Sequence, residues 1–177
     1  MSASLVGSEM CIRDSINSGS GNQGITCSIP VIVYADELKV SHEKKMRALA
    51  LSNLLTIHIK TDIGRLSAYC GAIAAGCAAG AAIAYLYGGK LKEINHTLVN
   101  ALAIASGVIC DGAKASCAAK IVLALEAGIL GYNMYLAGNQ FKAGDGIVKK
   151  GVENTIHNVG LLASEGMVET DKEIIKI

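Results

Sequence analysis

Two cysteines bracket a short polar loop in the segment Cys110-Asp-Gly-Ala-Lys-Ala-Ser-Cys117, which carries the strongest chemical signal in the sequence. Cys110 is predicted to end one helix and Cys117 to begin the next, with Ser116 as the N-cap of that second helix. A helix N-terminus and the nearby Lys114 both stabilise a thiolate, which is the form of cysteine that binds metal. The pattern is compatible with a metal site whose third thiolate comes from elsewhere in the chain, and reduced, buried thiols without a metal are the alternative.

Two further cysteines, Cys70 and Cys77, lie in a predicted helix, on one face and about 10 Å apart along its axis. This separation disfavours binding of one compact centre by both, so one of them is expected to be a buried core thiol. Three thiolates without a fourth leave one metal position open. An unusual catalytic zinc site and an iron–sulfur cluster with one iron free of protein thiolate both fit that pattern.

The loop Gly19-Ser20-Gly21-Asn22-Gln23-Gly24 matches the G-x-G-x-x-G pattern letter by letter. A dinucleotide site needs this pattern after a strand in a βαβ unit, and no such strand is predicted here. The glycines nevertheless expose backbone N–H groups before a helix N-terminus, which favours an anion such as a substrate carboxylate. The side chains of Ser20, Asn22 and Gln23 add donors, and a flexible loop is the alternative.

The elements that position these residues are predicted to be helices. Hydrophobic residues make up 51% of the chain but aromatic residues only 4%, and 20 glycines favour close packing of backbones. A single proline favours long, uninterrupted helices. We therefore predict an all-α fold, a compact bundle of about six helices around an Ala/Gly-rich central helix. The predicted helices are a short one capped by Thr26 or Ser28 with Pro30 in its first turn, one that starts at Ser41, and the segments Leu66–Leu86, Leu91–Ile109, Cys117–Leu136 and Ile147–Leu162, followed by a short charged tail.

Charge and cysteine usage exclude several classes of protein. The formal net charge is +1 with no basic patch, which argues against a nucleic-acid partner. The six cysteines lie in a chain without a cleavable secretory signal, which favours reduced thiols in the cytoplasm. The nearly uncharged segment Leu66–Leu86 is long enough to span a membrane, but its Ala/Gly content favours a buried helix. We expect a cytoplasmic protein without a membrane partner, and the sequence leaves a homo-oligomer open.

The first residues, Met1 to Ser15, lack helical or strand periodicity and resemble a translated sequencing adaptor. We expect residues 1–15, with Cys11, to be a non-native leader. Residues 16–177 are then expected to be the C-terminal part of a longer helical protein.

Four stretches, SGSGNQGITCSIPVIVYA, LSAYCGAIAAGC, ICDGAKASCAAK and ETDKEIIKI, resemble the L-cysteine desulfidase family. That family is related to the iron–sulfur L-serine dehydratase alpha chain. The resemblance runs from about Ile16 to the C-terminus and implies a mostly helical fold. It also implies a [4Fe-4S] cluster bound by Cys70, Cys110 and Cys117. A pocket for a small amino acid would be lined by Ser20, Gly21, Asn22, Gln23 and Gly24.

The activity that this resemblance implies is α,β-elimination from L-cysteine to pyruvate, ammonia and hydrogen sulfide. L-serine dehydration, a catalytically inactive metal-binding helical fragment and a small membrane protein are the alternatives. The family's N-terminal half, with a cysteine proposed to act in catalysis, has no counterpart here, so the general base is unidentified and the chain alone is expected to be inactive. Cys27 receives no role. The scattered histidines, His42, His58, His96 and His157, are expected to be surface or packing residues.

Overall fold

The computed structural model describes residues 15–64 and 67–177. Seven α-helices occur in this part of the chain: α1 Gly21–Glu37, α2 His42–Ile63, α3 Gly71–Leu86, α4 Leu91–Ala105, α5 Cys117–Leu136, α6 Val152–Leu161 and α7 Val168–Lys176. A π-helical turn, Leu162–Gly166, joins α6 to α7. The described residues form no β-strand and only two isolated bridges, Asn17 with Ser20 and Tyr69 with Ile109. The predicted all-α fold is confirmed.

Helix α3 is the centre of the bundle. Fifteen of its sixteen residues are buried, and it packs against α1, α2, α4 and α5. Its sequence is almost entirely Ala, Gly and Ile, so four neighbouring helices can approach its backbone closely without large side chains between them. The predicted Ala/Gly-rich central helix is therefore confirmed, and its lack of charge follows from burial inside the protein.

Helices α3 and α5 pack backbone against backbone. A Cβ added at Gly80 would lie 2.4 Å from the Cα of Gly128, and one added at Gly76 would lie 2.5 Å from the backbone carbonyl carbon of Ala124. In both contacts, Gly76 with Ala124 and Gly80 with Gly128, the residue of α5 follows the residue of α3 by the same number of positions. The two helices therefore run parallel. The N-termini of α3 and α5 consequently lie at the same end of the bundle.

The predicted start of the first helix is wrong. Ser20, rather than Thr26 or Ser28, is the N-cap, and α1 begins at Gly21. The glycine-rich segment is therefore itself the first turn of a helix, and the alternative of a flexible loop is wrong. Pro30 lies in the middle of α1 instead of its first turn, where it leaves the carbonyl four residues earlier without a helical donor.

Two helix ends next to the cysteines also differ from prediction. The predicted start of the third helix at Leu66 lies outside the described residues, and Ser67–Cys70 is not helical. Helix α4 ends at Ala105 rather than Ile109, so Cys110 does not end a helix. The two segments instead pair with each other through their backbones in the bridge of Tyr69 with Ile109.

The last predicted helix, Ile147–Leu162, is shorter than expected. Helix α6 begins only at Val152, after a loop in which Gly144, Gly146 and Gly151 all have positive φ. Such angles are favourable for glycine and interrupt a helix. The predicted charged tail forms a helix of its own, α7.

Helix α5 is long and apolar enough to cross a bilayer, the one described helix that passes this test of length and composition. It packs against α3 and α4 and exposes Val122, Leu123 and Leu130 on its outer face. One helix of this kind does not distinguish a membrane span from a core helix. The expectation of a cytoplasmic protein without a membrane partner stays a prediction.

We predict that Gly80→Ala lowers the free energy of unfolding by about 2–3 kcal/mol, because the new methyl group overpacks the backbone contact with α5. Gly107→Ala is the matched control, since a Cβ there meets no atom within 4 Å, and its effect should stay within about 0.5 kcal/mol. Urea denaturation followed by circular dichroism measures both. Equal stability of the two variants would contradict the proposed contact.

Candidate functional site

The three cysteines predicted as metal ligands line one cavity of about 250 Å³. Cys70 is the N-cap of α3, Cys117 is the first residue of α5, and Cys110 lies in the loop between α4 and α5. Because α3 and α5 run parallel, Cys70 and Cys117 lie at the same end of the bundle. The structure thus brings together residues that are widely separated in sequence.

A short backbone pairing holds Cys110 next to Cys70. The Cys70 N–H donates to the Val108 carbonyl at 3.1 Å, and the Cys110 N–H donates to the Ala68 carbonyl. These bonds flank the bridge of Tyr69 with Ile109. They attach the segment before α3 to the segment after α4 and so place the two thiols on the same wall of the cavity.

The loop from Cys110 to Cys117 wraps around the Cys117 thiol. This thiol donates to the Gly112 carbonyl at 3.5 Å, and the Lys114 N–H donates to its sulfur at 3.5 Å. Gly112 has a φ of 93°, an angle that favours glycine. Ser116 is the N-cap residue as predicted, but its hydroxyl makes no capping hydrogen bond.

The two other described cysteines do not line the cavity. Cys77 lies inside α3, and its burial raises the pKa of its thiol to about 12. The Cys27 thiol donates to the Gly24 carbonyl at 3.4 Å and to Asn53 Oδ1 at 3.2 Å. Both are core thiols, whereas Cys11 lies outside the described residues.

Neighbouring groups favour a thiolate at one member of the Cys70–Cys110 pair. Hydrogen bonding with Cys70 lowers the pKa of Cys110 below its usual range, and the Gly112 backbone and the charge of Lys120 act in the same direction against burial. The same hydrogen bond, together with burial, raises the pKa of Cys70. Lys120 is held in place by an ion pair with Asp111 at 2.7 Å. The first turn of α5 therefore provides a positive charge near Cys110.

The glycine-rich segment predicted to bind substrate forms another wall of the same cavity. Ser20, Asn22 and Gln23 line it, while Gly21 and Gly24 are buried in the first turn of α1. The Ser20 hydroxyl accepts a hydrogen bond from the Gln23 N–H at 3.4 Å. The first turns of α1, α3 and α5 thus meet at one cavity, and each adds the partial positive charge of a helix N-terminus.

A tight turn fixes the start of α1. Ser18 and Gly19 have φ values of 51° and 83°, and Asn17 and Ser20 exchange backbone hydrogen bonds across them at 3.2 and 3.1 Å. The Asn17 side chain donates to the backbone and side-chain oxygens of Asn53 in α2, each at 3.1 Å. These hydrogen bonds from Asn17 therefore hold the start of α1, which forms one wall of the cavity, against α2.

Three buried oxygens in the residues that line the cavity have no hydrogen-bond partner within the described part of the chain: Asn22 Oδ1, Gln23 Oε1 and the Tyr69 hydroxyl. Asn22 and Gln23 are only 8% and 5% exposed. An unpaired polar group in such a place costs about 1–3 kcal/mol. Acceptors left open beside a cavity indicate a ligand that carries hydrogen-bond donors.

The three thiols line one cavity but are not grouped tightly enough to bind a single metal ion. Within residues 15–64 and 67–177, no three His, Cys, Asp or Glu side chains are close enough to bind one ion. The zinc alternative therefore finds no support there. A [4Fe-4S] cluster needs thiols that are farther apart, because each binds a different iron. The structure shows three thiols lining one cavity, at which three helix N-termini meet.

The four histidines lie away from the cavity. His58 pairs with Glu153 at 2.7 Å and His157 with Asp62 at 3.3 Å, both on the surface. The His96 ring stacks on Tyr135. These positions agree with the expected surface and packing roles.

Lys60 and Tyr69 are among the residues of the cavity wall that were not predicted from the sequence. Lys60 belongs to the last turn of α2 and Tyr69 precedes Cys70, and both line the cavity. Tyr69 adjoins a predicted ligand, which was an available signal. Nothing in the helical pattern around Lys60 distinguishes it from a surface lysine.

Comparisons with known proteins identify the family of the chain. The family model described as serine dehydratase alpha chain matches residues 7–176, a range that begins inside the segment predicted to be a leader. A UPF0597 protein of Desulfitobacterium hafniense is 66% identical over 162 residues, which are 92% of this chain and 38% of that protein. UPF0597 proteins of Lachnoclostridium phytofermentans and Treponema denticola are 56% and 53% identical, over 92% and 91% of this chain and 39% and 37% of their own lengths.

The chain spans about two-fifths of the length of these curated relatives. No solved structure matches it. The predicted relationship to the L-serine dehydratase alpha chain is confirmed by the family match, which extends over nearly all of the sequence. The chain belongs to the serine dehydratase alpha chain family.

Proposed function

We propose that this chain forms the cluster-binding and substrate-binding part of an iron–sulfur lyase that eliminates hydrogen sulfide from L-cysteine. The observation that carries the proposal is one cavity lined by Cys70, Cys110 and Cys117 together with Asn22 and Gln23. The first three supply soft thiolate ligands, and the last two supply open acceptors for a small polar ligand. A cofactor and a substrate would therefore meet in the same space.

Cys70, Cys110 and Cys117 would hold a [4Fe-4S] cluster through three of its irons. When bound, the cluster would supply an open iron that acts as a Lewis acid toward the leaving group. Hydrogen bonding with Cys70 and the charge of Lys120 lower the pKa of Cys110, and the N-termini of α3 and α5 add partial positive charge beside the sulfurs. The cysteines therefore have the electrostatic surroundings that an anionic cluster requires.

The substrate would be a free amino acid. The Asn22 and Gln23 side-chain oxygens are buried acceptors without partners in the described residues, and an α-ammonium group provides the donors that they lack. The first turn of α1 offers backbone N–H groups to an anion such as the α-carboxylate. These groups would orient the amino acid with its side chain toward the cysteines.

The reaction is an α,β-elimination. A base removes the α-proton, and the electron pair of the Cα–H bond forms a double bond while the C–S bond breaks and its electrons leave with sulfur. The aminoacrylate product tautomerises to an imine, which water hydrolyses to pyruvate and ammonia. We assign the base to no residue, and its contribution to the rate would be about 100- to 10,000-fold.

L-serine dehydration is the second candidate, and the description of the matching family favours it. The same steps apply, with water in place of hydrogen sulfide as the leaving group. A small amino acid is the proposed partner in both cases. We further propose that the protein acts without a nucleic-acid or membrane partner. A homo-oligomer and a catalytically inactive metal-binding fragment are the alternatives.

We predict that Cys110→Ser or Cys117→Ser abolishes the visible absorbance of the cluster after anaerobic reconstitution, because a hydroxyl does not replace a soft thiolate. Cys77→Ser is the matched control, since Cys77 is a buried thiol that does not line the cavity. It should keep most of the absorbance. Equal loss in all three variants would contradict the assignment of the ligands.

Activity is best tested in a chimera, because the chain spans about two-fifths of its relatives. The matching segment of the Desulfitobacterium hafniense protein would be replaced by this chain, and pyruvate release from L-cysteine and L-serine measured under anaerobic conditions. We predict elimination by the chimera and at least a 100-fold lower rate by the isolated chain, about the contribution of a positioned base. Comparable turnover by the isolated chain would place the base within it, and an inactive chimera built on an active parent would contradict the proposal.

A further inference from the structure

Lys60 is the only charged residue that is buried within residues 15–64 and 67–177, with 9% of its surface exposed. It projects from the last turn of α2 and lines the same cavity as the cysteines and the first turn of α1. Lysines are almost never buried without a partner. The burial of the Lys60 ammonium group therefore needs a partner of opposite charge, which an exposed lysine does not need.

The Lys60 ammonium group has no ion pair and no hydrogen bond with any residue that the structure describes. Burial lowers the pKa of Lys60, and the thiols of Cys110 and Cys70 oppose this shift when they are ionised. By contrast, Lys120 already has Asp111 as its counter-ion at 2.7 Å. A buried cation in the wall of a cavity is stabilised when an anion enters that cavity.

The anion belongs near the turn that precedes α1. Lys60 also lines a neighbouring pocket of about 440 Å³ together with Ser18 and Gly19, and these two residues line the cavity of the cysteines as well. An ammonium group beside a helix N-terminus presents several N–H donors to one anion. A carboxylate has two oxygens that can accept from both groups.

We propose that Lys60, together with the N-terminus of α1, forms a subsite that binds the α-carboxylate of the substrate. The identity of this ligand as an amino acid rests on the function proposed above. With its carboxylate at Lys60 and its ammonium group at the Asn22 and Gln23 oxygens, the substrate presents its β-substituent to the remaining wall, where the three cysteines lie. Lys60 then selects α-amino acids over amines that lack a carboxylate.

The test compares the binding of L-alanine and L-alaninol, which differ in the carboxylate and have no leaving group. Calorimetry on the full 177-residue chain, reconstituted anaerobically, gives both Kd values for the wild type and its variants. The wild type should prefer L-alanine by about 10- to 100-fold, the worth of a hydrogen bond to a charged group. Lys60→Met, which keeps the apolar stem, should abolish this preference, whereas Lys60→Arg should retain most of it.

Lys149→Met is the matched control, because Lys149 is an exposed lysine outside the cavity. It should leave the preference unchanged. A wild type without any preference for L-alanine would overturn the inference. A Lys60→Met variant that retains the preference would also overturn it, even if that variant binds less iron. If Lys60→Met does not fold, Lys60→Arg alone decides the test. Loss of the preference for L-alanine in Lys60→Arg, which keeps the positive charge, would then overturn the inference.

The two proposals fail separately in this design. Lys60-dependent binding of L-alanine, combined with a chimera that releases no pyruvate, supports the carboxylate subsite and contradicts the proposed reaction. Pyruvate release by the chimera, combined with binding that does not depend on Lys60, supports the reaction and overturns the subsite.

Discussion

The backbone contact between α3 and α5 is the constraint on which the site depends. Gly80 and Gly128 allow the two helices to run parallel at a distance that any side chain would increase. Because the register is fixed there, the first turns of both helices lie at one end of the bundle, with Cys70 before one and Cys117 at the start of the other. The composition of the core thus determines the position of the thiols.

The charge of the cavity follows from the same arrangement. Three helix N-termini meet there, Lys60 lines the cavity, and the charge of Lys120 acts on Cys110. Such a cavity favours anions, both a cluster held by thiolates and a ligand carboxylate. The buried acceptors of Asn22 and Gln23 are the exception, and they give an amino acid a place for its ammonium group. One cavity therefore contains complementary groups for both charges of a zwitterion.

Local patterns were sufficient to predict much of this arrangement. The Ala/Gly run predicted the central helix, and the residues after Ser116 predicted the start of α5. The bridge of Tyr69 with Ile109 could not be predicted, because it joins distant segments and overrides the helical pattern around both. The burial of Lys60 was equally hidden, since it depends on how α2 packs rather than on its own sequence. Long-range contacts, rather than local propensity, account for what the sequence did not reveal.

Mössbauer spectroscopy of the anaerobically reconstituted chain tests the central claim most directly, because it distinguishes irons with different ligands. Three protein thiolates on a four-iron cluster predict one iron in four with its own spectrum, accompanied by an equal number of sulfides and irons. Addition of L-serine should change the spectrum of that iron alone. A chain that retains no iron, or one whose irons all respond alike, would contradict the claim that Cys70, Cys110 and Cys117 hold a cluster with one open position.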